Sequence, residues 1–253
     1  RTTGVQTYTV TDGGVSATSG NITVTPGALG TFTVTTPGVQ TAGTPFTVAV
    51  TAFDAHGNRK SDYTGPVTFS SGDPLATLPT DDGSGWTAGR GVFTLTFRTT
   101  GVQTYTVTDG GVSATSGNIT VTPGALSSIQ IRDAAHGAGE IVSTREVTAG
   151  EPLVLWAAGY DTVGNALGDV VVTWTGGGVL TGQLTPTVGI STTVVGSVAG
   201  VGEVIADAGG GIHASAELVV VAMDTKTYDI YLPFVTRRAA QTVIHAAKPP
   251  AGF

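Results

Sequence analysis

Residues Arg1 to Leu29 recur without a single change as Arg98 to Leu126, so a 29-residue block stands twice in the chain at a spacing of 97 (98 − 1). That spacing constrains the fold class. Helical and leucine-rich solenoid units run about 20–50 residues, whereas one immunoglobulin-like β-sandwich takes about 100. Two whole sandwiches are therefore expected, at 28–123 and 124–222. The C-terminal half of another is expected at 1–27, as the end of a domain that begins elsewhere, and an extended tail with strand segments at 223–253. The expected fold class is all-β, a tandem of antiparallel sandwiches with a partial one at the N-terminus.

Composition agrees with this and excludes several kinds of function. Thr, Val and 38 Gly dominate the 253 residues, a mixture that favours strands and tight turns over long helices. There is no cysteine, which removes disulfides, thiolate nucleophiles, zinc–thiolate sites and iron–sulfur clusters. A whole unit of this size hides something like 65% of its unfolded surface and stands without such staples. Eleven basic residues against eighteen acidic ones give a net charge of −7, and without a basic stripe nucleic acid is not an expected partner. The longest strongly apolar run, Leu218 to Met223, falls far short of the ~20 residues of a membrane helix, so no membrane span is expected.

Strands show as clean alternations that stop at Gly, Asp or Pro. Phe46, Val48 and Val50 alternate with Thr47, Ala49 and Thr51, and the run ends at Asp54-Ala55-His56-Gly57-Asn58. Val67-Phe69, Phe93-Leu95-Phe97, Tyr105-Val107 and Ile119-Val121 repeat the pattern. One face is apolar and the other mostly Thr, as two sheets sharing a core require. The second half is a diverged copy of the first. Thr41-Ala42-Gly43-Thr44-Pro45 matches Thr148-Ala149-Gly150-Glu151-Pro152, and Phe53-Asp54-Ala55-His56-Gly57-Asn58 matches Tyr160-Asp161-Thr162-Val163-Gly164-Asn165.

The Asp-Ala-x-Gly-Asn turn, the strand Tyr63 to Phe69 and the ending Gly101 to Asp109 resemble the bacterial immunoglobulin-like repeats of large surface and adhesin proteins, the invasin and intimin-like group. The resemblance is good for the middle unit, fair for the third and absent from the last thirty residues. It implies a β-sandwich that serves as a spacer or adhesive module on the cell exterior. It implies no ligand, because the matching residues are turn and core positions. It also places Trp86 as a buried aromatic.

Chemistry-bearing residues do not form a pattern. His56, His136, His213 and His245 lie in four separate segments without ligand-like spacing, and no Gly-x-Ser-x-Gly elbow is present, so no catalytic residue, cofactor or metal is expected. Acidic residues gather at Asp54, Asp62, Asp73, Asp81 and Asp82 and again at Asp161 and Asp169; Asx-turns account for them more simply than calcium. Asn21 and Asn118 head Asn-x-Thr sequons and are candidate glycosylation sites. Trp174 shares the inward register of Val172, whereas Trp156 lies between inward Leu155 and Ala157 and is an interface candidate.

Residues 1–27 hold only the last two strands of a sandwich, with Tyr8, Val10, Ile22 and Val24 facing a core that these residues do not supply. A lone hairpin is marginal in water. The tail offers an alternating apolar face at Tyr228, Ile230 and Leu232, with Phe234 beyond, suited to strand addition on a neighbouring subunit. A head-to-tail contact of that kind generates an open filament. The expected function is therefore non-enzymatic: an extracellular structural repeat forming a surface fibre or stalk, with neighbouring copies or repeats as partners. An adhesin or carbohydrate-binding module using Trp156 and glycans is one rival; an accessory region of a secreted enzyme is another.

Overall fold

The computed structural model describes residues 2–223, and all of the regular structure in them is β. The tail residues Tyr228, Ile230, Leu232 and Phe234 lie outside the described residues.

Alternating side chains close two separate cores, one drawn from residues between Phe32 and Val121 and the other from residues between Ile129 and Val220. In the middle sandwich one layer orders the strands Leu29–Val34, Phe46–Asp54, Arg90–Leu95 and Trp86–Thr87. The facing layer consists of two ladders. One runs Gly101–Gln103, Ile119–Thr122, Gln40–Thr41, and the other runs Val112–Thr115, Tyr105–Asp109, Thr68–Ser71. Val48, Val50 and Leu95 from the first layer meet Phe69, Tyr105, Val107 and Ile119 from the second. Edge-on aromatic contacts fill one end, with Tyr63 against Trp86 at 4.7 Å and Phe69 against Phe93 at 4.8 Å between ring centroids.

The third sandwich repeats the plan with two five-stranded sheets, around Leu155, Ala157, Trp174, Leu180, Val204 and Leu218. Trp174 is buried, and its indole N–H donates to the carbonyl of Gly189 at 3.1 Å.

Two features depart from the sequence expectation. The sandwiches are not wholly antiparallel: Ile119–Thr122 pairs Gln40–Thr41 in parallel, and Thr144–Thr148 pairs His213–Val221 in parallel. Each opening segment changes layers, from Leu29–Val34 to Gln40–Thr41 and from Ser128–Arg132 to Thr144–Thr148, and so comes to lie beside the closing strand in the same direction. The second departure is that residues 1–27 form four short strands instead of two. Gly4–Gln6 pairs Ile22–Val24, and Thr9–Asp12 pairs Val15–Thr18. The same break divides Arg98 to Thr122, where each long strand serves both ladders. A serine holds the break in each copy: the N–H of Tyr105 donates to Ser116 Oγ at 3.1 Å, and that of Tyr8 to Ser19 Oγ at 3.0 Å.

Candidate functional site

Chain geometry concentrates the unusual polar contacts at the joints between repeats. Each sandwich carries an Asp-x-x-Gly-Asn turn whose aspartate is buried. Glycine at the fourth position is needed because the backbone there is left-handed, with φ of 78° at Gly57 and 90° at Gly164. In the third sandwich Asp161 Oδ1 accepts from the N–H groups of Val163 (2.9 Å) and Asn165 (2.8 Å). Its Oδ2 accepts from Asn165 Nδ2 and from the N–H of Gly124, both at 2.9 Å. Gly124 belongs to the linker that arrives from the middle sandwich, so one carboxylate holds its own turn and the incoming chain together.

Asn165 extends the grip to the preceding repeat. Its Nδ2 donates to the carbonyl of Arg98 at 2.8 Å, and its Oδ1 accepts from the N–H of Thr100 at 3.3 Å. Val163, at the tip of the turn, packs against the core of the middle sandwich. Beside the joint lies an open groove of about 490 Å³ lined by residues including Thr41, Gly43, Gly124, Ser127, Thr162 and Ile212.

The first joint is built the same way. Asp54 Oδ1 accepts from the N–H groups of His56 and Asn58, both at 2.9 Å. Its Oδ2 accepts from Asn58 Nδ2 (2.9 Å) and from the N–H of Gly27 (3.0 Å). Lys60 adds a bond from Nζ to the carbonyl of Gly27 at 2.9 Å and pairs with Asp62. Gly27 and Gly124 are the same position of the repeated block.

These bonds depress the acidity constants. Burial alone raises the Asp161 pKa, but the Asn165 side chain and the N–H groups of Gly124, Asn165 and Val163 outweigh it and hold the carboxyl below the ordinary 3.8. The Asn58 side chain and the Gly27 N–H do the same at Asp54. A depressed folded-state pKa contributes stability that is present above the unfolded value and lost as pH falls through the folded one. The joint is therefore expected to keep full strength above about pH 5 and to weaken below pH 3.8. Asp161→Asn is expected to remove that acid-dependent part of the third sandwich's melting temperature, measured by calorimetry between pH 2 and 5. An unchanged acid slope would contradict the assignment.

The remaining loop acids are turned onto neighbouring N–H or O–H groups. Asp73 accepts from the N–H groups of Leu75, Arg98 and Thr99 and from the Thr99 hydroxyl. Asp81 Oδ2 accepts from the N–H of Val67 and from Trp86 Nε1, both at 2.8 Å. Asp169 accepts from the N–H of His136 at 2.9 Å. His56, His136 and His213 are exposed, and His245 lies outside the described residues.

The expected interface residues fall in two places that do not meet. Trp156 is half-buried on the outer face of its sheet, between Arg132 and Ser191 on the flanking strands. Tyr8, Val10, Ile22 and Val24 are exposed, with Asn21 beside them; Asn118 is also exposed. Exposure of the first four is informative because their copies are core residues. Tyr8 is 60% exposed and Tyr105 0%, Val10 61% and Val107 0%, Ile22 44% and Ile119 0%, Val24 36% and Val121 2%. The joint residues Gly124, Asp161 and Asn165 were visible in the sequence only as matched turn positions. Recurrence of Asp and Asn at the same places in two turns, with Pro-Gly ahead of each sandwich, was the available signal.

Layering, unit length and joint together define the class: tandem immunoglobulin-like β-sandwich repeats linked end to end. No family model matches the chain, and no curated protein does. Among solved structures it is similar to FdeC, an Escherichia coli adhesin, at 24% identity and a TM-score of 0.44, covering 86% of this chain and 74% of that one. It is similar to invasin, a bacterial integrin-binding protein, at 18% identity and a TM-score of 0.41, covering 87% of this chain and 46% of that one. For domains 4–9 of the surface layer protein SbsC the values are 21% and 0.34, covering 88% and 36%. The chain thus spans less than half of the invasin and SbsC chains.

Proposed function

We propose that the chain is a structural module of the cell exterior, a run of β-sandwiches that forms part of a surface stalk or fibre, and that it has no catalytic role. One observation carries the proposal: the carboxylate that secures Gly124 to the third sandwich has an equivalent securing Gly27 to the middle one. A joint that recurs at each repeat sets every unit in the same relation to the last, which is what a load-bearing array needs. The resemblance of the Asp-Ala-x-Gly-Asn turn and the Gly101 to Asp109 strand to bacterial surface repeats supports the extracellular setting. Glycans on Asn21 or Asn118 are compatible with it, since both side chains are exposed.

The narrower form of the proposal gives the tail an assembly role, with Tyr228, Ile230 and Leu232 presenting one apolar edge to a neighbouring subunit. Electron microscopy of the chain and of a variant ending at Met223 tests it. Rows of subunits in the intact chain and single particles in the truncated one are the expected result. Rows of unchanged length would take the tail out of the assembly.

A further inference from the structure

Residues 2–27 have the sequence and the strand pairing of residues 99–124 but none of their cover. In the middle sandwich, the strand Tyr105–Asp109 lies between Val112–Thr115 and Thr68–Ser71, and Ile119–Thr122 lies between Gly101–Gln103 and Gln40–Thr41. Their counterparts Thr9–Asp12 and Ile22–Val24 each have one partner among the described residues. The hydroxyl of Tyr105 donates to the carbonyl of Thr35 at 2.5 Å, while Tyr8 is exposed. The inner face of Tyr8, Val10, Ile22 and Val24 is thus shaped and registered for a known mate.

We infer that this face is a docking surface whose occupant is a half-sandwich of the chemistry of residues 28–97, preceding residue 1 in the same polypeptide as Phe97 precedes Arg98. The inference rests on the reading of the chain as a serial array.

Three considerations select this occupant. The face that covers Tyr105, Val107 and Ile119 is a whole opposing layer with aromatic and aliphatic side chains at Phe46, Val48, Val50, Phe93, Leu95 and Phe97. A single alternating run such as Tyr228 to Leu232 supplies one strand and no opposing layer. A second copy has no spare half to give, because its own residues 28–97 are already closed by its own 98–122. Exchange between copies would uncover one such face for each it covers.

The chain has no cysteine, so a single introduced thiol reports cover at a chosen position. Val10→Cys and, separately, Val107→Cys are made in the full chain and in a chain carrying an added copy of residues 28–97 directly ahead of residue 1. The rate of reaction with a soluble disulfide reagent is read. In the unextended chain the Val10→Cys thiol is expected to react ~100-fold faster than the Val107→Cys thiol, since a core position reacts only through rare opening. In the extended chain its rate is expected to fall to that of Val107→Cys, and Ile22→Cys is expected to follow the same course.

Two results would overturn the inference. One is a thiol at position 10 that stays fully reactive in the extended chain. The other is a thiol already protected in the unextended chain: loss of protection on deleting 224–253 would identify the tail as occupant, and loss on dilution a second copy. The stalk reading is tested separately at the Gly124 joint, which these rates do not depend on, so either can fail alone.

Discussion

Ile119→Ala is expected to destabilise the middle sandwich by about 2–5 kcal/mol, and Ile22→Ala to change stability by no more than about 0.5 kcal/mol. The two positions have identical sequence neighbours for at least six residues on either side. Local propensity therefore cancels, and the difference measures tertiary cover alone. Ile119 is fully buried in the strand Ile119–Thr122, within the core that includes Tyr105, Val107 and Val121. Truncation there removes apolar contact and leaves a cavity that close-packed neighbours only partly fill. Ile22 is 44% exposed, and the same truncation opens no cavity. Urea unfolding followed by tryptophan fluorescence checks the pair, because Trp86 reports on the middle core. Equal losses at both positions would mean that residues 2–27 are packed in solution as residues 99–124 are.

Asp161→Ala is expected to cost about 2–4 kcal/mol, a large effect for a residue in a turn. The carboxylate accepts four hydrogen bonds, from the N–H groups of Gly124, Val163 and Asn165 and from Asn165 Nδ2. Removing a buried acceptor leaves donors unpaired at about 1–3 kcal/mol each where water cannot reach them. The loss should appear in thermal unfolding of the third sandwich. A second consequence lies outside that sandwich, because Asn165 loses the bond that orients it toward the carbonyl of Arg98 and the N–H of Thr100. An Asn165→Ala variant is expected to loosen the joint with a smaller loss of stability, which separates positioning of the repeats from folding of either one. Asp161→Ala with wild-type stability would show that the turn does not depend on its carboxylate.

The layers were legible in the sequence because their signal is local. Period-two alternation at Phe46 to Val50 and Phe93 to Phe97 sets which face is buried; Val48, Val50, Phe93, Leu95 and Phe97 are all core residues. The copied block gave the unit length without any structural information. Changes of layer were not legible. Nothing in the residues Thr35 to Val39 announces that the chain leaves one sheet and joins the closing strand of the other in parallel, since that pairing is decided by Val121 and Thr122, some eighty positions away. The break within Arg98 to Thr122 was hidden for a similar reason, because the alternation continues through it while the pairing partner changes.

The joint was legible in part. Matching Asp54 with Asp161 and Asn58 with Asn165 identified conserved turn chemistry between the two units. It could not show that one oxygen of each carboxylate is aimed out of the turn at the linker glycine. That is a contact over 37 residues in one case and 27 in the other, and no periodicity encodes it. Trp156 was singled out by parity, which correctly set it on the outer face, but parity cannot say what covers an outer face.

The account turns on whether consecutive sandwiches are held in one fixed relation. Spin labels on cysteines introduced at Thr94 and Thr173, exposed strand positions on either side of the joint, allow the distance distribution between the two units to be measured by electron–electron double resonance. A single narrow distribution in the parent chain, broadened by Asn165→Ala and more so by Asp161→Ala, is the predicted result. A broad distribution in the parent, unchanged by either substitution, would mean that the repeats swing freely about Gly124 and would contradict the reading of this chain as a stiff segment of a surface array.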